Sequence, residues 1–295
     1  MKDMGMTSVR LDANWFYGQP TGPGNYDWTL LDQAMASVRQ VGLSADLIID
    51  GCPPWAAAPG GQGLFAQPAS PSAFASWANA VAARYGSQGA RYFEIWNEPN
   101  IAQFWSPKPD PAAYTADLKA AYAAVKLADP SAVVLSGGLS PAGDTPTSYD
   151  PRTFLTDMYA DGAKNSFDGV ADHPYSYPAT PAGNPFSAWS QMSKTKPSLR
   201  SIMTAHGDAA KKIWITEYGA PTTGANSVSE AQQSAELTQA IAAARKVTWI
   251  ASFYIYTWSN QSSLMSTDDG FGLLRPDGSK KPAYAAVSAA LRASS

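Results

Sequence analysis

Short runs of apolar and β-branched residues alternate along the chain with longer segments whose apolar positions recur every three or four residues. The short runs read as strands, and the longer segments as helices that bury one face. The predicted strands are Thr7–Asp12 (TSVRLD), Ala45–Asp50 (ADLIID), Arg91–Glu98 (RYFEIWNE), Ala132–Gly138, Gly169–Pro174, Lys212–Gly219 and Ile250–Trp258. Tyr26–Gly42 sets Trp28, Leu31, Met35 and Val38 on one helical face, with Asp27 placed to cap its start and Gly42 its end. Ser70-Pro71 opens a helix that turns Phe74, Trp77 and Val81 inward and stops at Gly86; Asp110-Pro111 opens another, reaching Asp129. Further helices are predicted near Phe154–Gly162 and Leu199–Lys211, from the Ser229/Gln232 capping-box pair to Arg245, and over Pro282–Arg292.

Strands alternating with helices imply a parallel sheet covered by helices. With Asp12, Asp50, Glu98, Gly138, His173, Glu217 and Trp258 as strand ends, the spacings are 38, 48, 40, 35, 44 and 41 residues. So even a repeat suits a (β/α)8 TIM barrel better than a doubly wound sheet. No Gly-rich phosphate fingerprint follows any strand. The expected α/β fold is therefore a (β/α)8 barrel forming one domain over residues 1–295. Seven strands are counted, however, and Met1–Gly5 reads as the tail of a helix feeding the first of them. The expectation is a barrel lacking its first strand and most of its first helix. Exposed strand edges would then need a cover: a longer native N-terminus, a substitute segment, or a second copy in a dimer.

Composition narrows the function classes. Of 295 residues, 45% are hydrophobic and 15% charged, enough for a sizeable core. A net charge of −3, from 21 basic and 24 acidic residues, carries no footprint for nucleic acid or an anionic membrane. No apolar run approaches a bilayer span, and Met1–Arg10 has no signal-peptide pattern. A single cysteine (Cys52) excludes an intrachain disulfide, and it reads as an inert buried thiol. Two histidines, His173 and His206, leave little for a transition metal. Asp12, Asp46 and Asp50 lack a calcium-loop pattern and read as barrel-lining or solvated. No metal and no cofactor are expected.

In such barrels chemistry collects at the carboxyl ends of the strands. Those ends supply Arg10, Asp12, Asn97, Glu98, His173, Tyr175, Glu217, Tyr218 and Trp258. Glu98 (Trp96-Asn97-Glu98-Pro99) and Glu217 (Ile215-Thr216-Glu217-Tyr218-Gly219) each end an apolar strand, three strand steps apart. On a barrel that spacing places them across the mouth from one another. Glycoside hydrolysis requires such a pair, one carboxyl to protonate the leaving oxygen and one to attack the anomeric carbon or activate water. Each glutamate could instead sit in a structural ion pair; two together beside an amide favour catalysis.

Arg91–Trp105 (RYFEIWNEPNIAQFW) resembles the acid/base segment of glycoside hydrolase family 39, and with Ile215-Thr216-Glu217 the chain resembles the retaining clan A glycosidases. In that clan the two glutamates end the fourth and seventh strands; here they end the third and sixth, an offset that marks the first strand as the missing one. The resemblance implies a retaining hydrolase of β-linked oligo- or polysaccharide, with Glu98 as acid/base and Glu217 as nucleophile. It further implies that Asn97 binds the 2-hydroxyl, that Arg10 pairs with Glu217 and holds it ionised while Glu98 keeps a raised pKa, and that Tyr175 donates to Glu217. His173 resembles a sugar-contacting histidine, with a structural histidine orienting a neighbour as the alternative. Trp258 resembles the platform under the reacting sugar, which implies a cis Trp258–Ser259 bond. Trp15, Trp55, Trp105 and Tyr177 follow strands, where rings either stack on sugars or fill the core. Trp28, Trp77 and Trp249 read as core and His206 as surface within a helix. A non-catalytic carbohydrate-binding barrel is the competing reading. By analogy with the family the expected location is extracellular or periplasmic.

Overall fold

The computed structural model describes residues 1–181, 183–261 and 266–293. The chain divides into two compact units. The larger comprises Thr7–Asp172 and Ile202–Lys212, and the smaller Met1–Met6, His173–Ser201 and Ile213–Ser295.

The larger unit alternates strand and helix: β1 (Ser8–Asn14), α1 (Thr29–Gln40), β2 (Ser44–Asp50), α2 (Pro71–Tyr85), β3 (Ala90–Asn97), α3 (Pro111–Ala128), β4 (Val133–Gly138), α4 (Pro151–Ala160) and β5 (Gly169–Asp172). The five strands pair in parallel and in sequence order, with Leu11 opposite Leu47, Leu47 opposite Phe93 and Phe93 opposite Val134. The helix starts follow their caps. Ser70 accepts from the Ala73 amide and Asp110 from the Ala113 amide, each followed by proline at the first turn. Asp27 Oδ1 accepts from the Thr29 amide at 2.9 Å, so α1 begins three residues later than the periodicity suggests.

The next helix, α5 (Leu199–Ala205), is shorter than its apolar pattern, which runs to Lys211. Gly207 adopts φ 81° while its amide bonds the Thr204 carbonyl and the Asp208 amide bonds Met203, a Schellman stop. His206 therefore lies past the helix end, exposed, with its ring stacked 4.2 Å from Tyr159.

The core of the larger unit contains a chain of rings. Phe74, Trp96, Trp105, Tyr114 and Phe154 are fully buried, with successive centroids 5.6, 4.9, 5.6 and 5.6 Å apart. Each such pair contributes about 0.5–1.5 kcal/mol beyond its buried area. Tyr114 also ties two strands, donating to the Ile95 carbonyl (2.9 Å) and accepting from the Gly137 amide (2.6 Å).

The smaller unit contains β6 (Lys212–Tyr218), α6 (Glu230–Arg245), β7 (Ile250–Ile255) and α7 (Pro282–Arg292). Its two strands are parallel. The capping box at Ser229 and Gln232 is formed in both directions. The turn Lys2–Met4 lies at α7, with Met4 buried and the Arg292 guanidinium donating to the Asp3 carbonyl. The described residues thus carry the seven expected strands, their ends within three residues of the sequence reading. No described helix is long and apolar enough to cross a membrane.

Candidate active site

In the larger unit the polar groups gather at the ends of β1 to β4. Arg10 donates through Nε and Nη2 to both oxygens of Glu94 (2.8 and 2.9 Å), and Nη2 also reaches Asn97 Oδ1 at 2.8 Å. Glu94 is fully buried and accepts in addition from the Gly138 amide at 2.8 Å. A bidentate guanidinium–carboxylate pair with a backbone donor is the arrangement that makes a buried ion pair tenable. Because its oxygen is held by Arg10, the Asn97 amide has one orientation, with the NH2 left for another acceptor. On β2, burial and the neighbouring Asp12 charge push Asp50 well above the usual carboxylate range; Asn14 Nδ2 donates to it at 3.0 Å. Asp46 and Asp50 line the interior, while Asp12 is exposed.

A backbone irregularity makes this cluster possible. In a regular strand, residues 94 and 97 point to opposite faces. Yet both reach Arg10. Trp96 adopts φ 74°, which breaks the alternation: its ring turns to Phe74 and Trp105, and Asn97 joins Glu94. Glu98 follows at φ 45°, its amide bonded to the Gly138 carbonyl (3.0 Å) and its carbonyl to the Ile101 amide (3.2 Å). Positive φ is rare outside glycine and gathers at functional sites. Beyond Pro99, the buried Asn100 staples the turn, donating to the Ser140 and Tyr149 carbonyls and accepting from the Ser140 amide.

In the smaller unit Glu217 sits near the end of β6, with its side chain 14% exposed. Tyr175 Oη donates to Glu217 Oε2 at 2.7 Å. His173 is fully buried; its Nε2 lies 3.1 Å from Thr216 Oγ1 and its Nδ1 3.7 Å from Glu217 Oε2. Behind Tyr218, burial pushes the Glu236 carboxyl up to about 7. Tyr175 is surrounded by rings: Phe271 at 5.6 Å, Tyr177 at 6.1 Å, Tyr256 at 6.4 Å and Tyr218 at 6.4 Å.

The aromatic candidates divide. Trp15 and Trp105 have no exposed surface, so they are core and not sugar platforms. Trp15 Nε1 bonds Gln19 Oε1, and the Trp105 ring joins the core chain. Trp55 and Tyr177 are half-buried, Trp55 donating through Nε1 to the Gln19 carbonyl at 2.8 Å. Trp28 and Trp249 are half-buried, less enclosed than expected, whereas Trp77 is core. Among the described residues the non-proline cis bond is Tyr256–Thr257, not Trp258–Ser259. Trp258 packs 5.9 Å from Tyr284 of α7, and it is Tyr256 that lies beside Tyr175. Sequence reasoning missed Glu94, Asn100, Tyr256 and Phe271; a charged residue inside the apolar run Arg91–Glu98 is the signal that could have found Glu94. Cys52 is buried, and burial pushes its thiol up to about 12, as an inert thiol requires.

A family model described as Cellulase (glycosyl hydrolase family 5) matches residues 1–262. Among solved structures, a family 39 glycoside hydrolase from the gut symbiont Bacteroides cellulosilyticus is similar, at 24% identity and TM-score 0.78, over 98% of this chain and 59% of that one. A monomeric beta-xylosidase from Caulobacter crescentus is similar at 20% identity and TM-score 0.71, over 97% of this chain and 62% of that one. So is a family 5 subfamily 18 protein from Streptomyces cattleya in complex with GlcNAc, at 19% identity and TM-score 0.69, over 99% and 72%. The chain spans about three fifths of the length of the first two. No curated protein sequence matches it. These likenesses show the fold: the (β/α)8 barrel of the clan A glycoside hydrolases, with seven strands among the described residues. The local motifs resemble family 39, whereas the matching family model is that of family 5.

Proposed function

The chain belongs to the cellulase family, glycosyl hydrolase family 5, and on that premise we propose that it hydrolyses a β-linked neutral glycan with retention at the anomeric carbon. The carrying observation is Glu217 near a strand end, with Tyr175 Oη donating to one of its oxygens at 2.7 Å. A nucleophilic carboxylate needs that kind of hold, which orients it without removing its charge.

In the first step Glu217 attacks the anomeric carbon while Glu98 gives its proton to the departing glycosidic oxygen. A covalent glycosyl-enzyme forms. Glu98, now ionised, takes a proton from water, and the water oxygen displaces Glu217. Asn97, oriented by Arg10, offers its NH2 to the sugar's 2-hydroxyl, a contact that strengthens in the transition state. Retention requires two carboxyls about 5–5.5 Å apart around one sugar. Trp55, Tyr177 and Tyr256 are the candidate stacking rings. A net charge of −3 favours neutral glycans over uronates. Solved relatives are named for beta-xylosidase and exo-beta-1,4-mannosidase activity, which makes xylosides and mannosides the first substrates to try.

The test is a panel of β-linked oligosaccharides followed by an activated 2-fluoroglycoside of the preferred sugar. The label is expected on Glu217. Glu217→Gln should lose at least about a thousandfold in kcat, with its melting temperature nearly unchanged. Wild-type turnover in that variant would remove Glu217 from the mechanism. Tight glycan binding without turnover by the wild-type chain would instead establish the non-catalytic barrel.

A further inference from the structure

Lys281 immediately precedes α7, and its side chain is buried. Its ammonium makes three hydrogen bonds, to Thr222 Oγ1 (2.8 Å), Asn260 Oδ1 (3.0 Å) and the Gly270 carbonyl (3.0 Å). Three donors meet three acceptors, none of them a carboxylate. Burial is costly for the charge and pulls the amine down to about 8, with the Glu230 carboxylate partly opposing the shift. Stability alone does not select a lysine here. The question is what the three bonds hold.

They hold the segment that carries Phe271. The Gly270 carbonyl also accepts from the Thr222 amide (3.0 Å) and hydroxyl (3.1 Å), so three donors converge on one oxygen. On the other side of Phe271, the Gly272 amide donates to Asn260 Oδ1 at 2.8 Å, the same atom Lys281 grips. The backbones are in close contact, since a Cβ at Gly270 would lie 2.3 Å from Thr223 Oγ1 and one at Gly272 2.1 Å from the Asn260 nitrogen. Phe271, pinned before and after, meets Tyr175 at 5.6 Å and 67°, Tyr177 at 5.5 Å and Tyr256 at 5.3 Å. Tyr175 is the donor to Glu217.

We propose that Lys281 is a positioning residue for the nucleophile: its ammonium clamps the segment bearing Phe271, and the Phe271 ring fixes Tyr175 and thereby Glu217. This inference rests on the reading of Glu217 as nucleophile. Lys281 itself touches no substrate.

The experiment compares wild type, Lys281→Met, Phe271→Leu, the double variant and Thr222→Val. Each is assayed for kcat and KM on an aryl glycoside and for the Tyr175 ring signal in carbon-13-labelled tyrosine, assigned with Tyr175→Phe. Lys281→Met should lower kcat roughly tenfold with KM within about twofold, and shift the Tyr175 signal. Phe271→Leu should lose a similar factor. The double variant should lose no more than either single, because both act through one contact. Additive losses overturn the route through Phe271. An unmoved Tyr175 signal overturns the clamp, and full kcat with a moved signal overturns its bearing on catalysis. If Lys281→Met does not fold, Thr222→Val, which removes one bond to Gly270 and one from Lys281, carries the same comparison. Absence of all turnover in the wild type would sink the reading of Glu217, while the Tyr175 signal would still decide the clamp.

Discussion

Glu98 and Glu217 are supported in different ways. In the larger unit the neighbourhood of Glu98 is set by backbone and by charge. A left-handed residue at Trp96 re-aims the strand end, and Arg10 ties Glu94 and Asn97 together through ionic hydrogen bonds. In the smaller unit Glu217 is held by side chains from loops, with a phenol as the direct donor and rings around it. The first kind of support belongs to the sheet and fails only when the sheet is damaged. The second is local and can be lost while the fold stands. The difference makes the geometries of Glu98 and Glu217, the proposed acid/base and nucleophile, separately tunable.

Three substitutions would break or sharpen that contrast. Arg10→Met leaves the Glu94 carboxylate buried without its cation, and should cost about 3–5 kcal/mol in chemical denaturation. A loss of activity with unchanged stability would contradict the assignment of this cluster to the fold. Glu236→Gln probes the smaller unit through pH. The Glu236 carboxyl is raised from 4.5 to about 7, so the folded state holds a proton that the unfolded state releases. Wild-type stability should therefore fall as pH rises from 4.5 to 7, by up to about 3 kcal/mol. The variant should match wild type near pH 4.5 and melt higher at pH 8; equal melts at both would remove the buried proton. The smallest expected effect on folding is that of Tyr175→Phe, which deletes one part-buried hydrogen bond to a carboxylate. It should lower kcat about ten- to a hundredfold with the denaturation midpoint unmoved. A shifted midpoint would make this ring cluster as structural as the Arg10 network.

Much of the fold was legible because its signals are local. Ser70-Pro71, Asp110-Pro111 and Ser229/Gln232 announce helix starts through bonds made within three residues, and all three bonds form. The strand runs were legible from their β-branched and apolar residues. α5 was over-extended because Gly207 was outweighed by the apolar pattern around it. The site was legible only in outline. Asn97-Glu98-Pro99 and Ile215-Thr216-Glu217 marked strand ends, but a period-two pattern puts Asn97 opposite Glu94, and no pattern shows the inversion at Trp96 that reunites them. Trp15, Trp105 and Trp55 follow strands alike in the sequence, yet of the three Trp55 alone keeps exposed surface. Phe271 and Lys281 carried no signal, since their importance lies in contacts between segments distant in sequence.

The left-handed backbone at Glu98 also bears on how such a protein would respond to laboratory evolution. At φ 45° a glycine or asparagine would sit with less strain than any long side chain. A library sorted for heat resistance alone would be drawn to replace Glu98, and on the proposed role of that residue it would trade turnover for a tougher scaffold. Selection for thermal robustness in this chain is therefore best run with catalysis as a simultaneous filter.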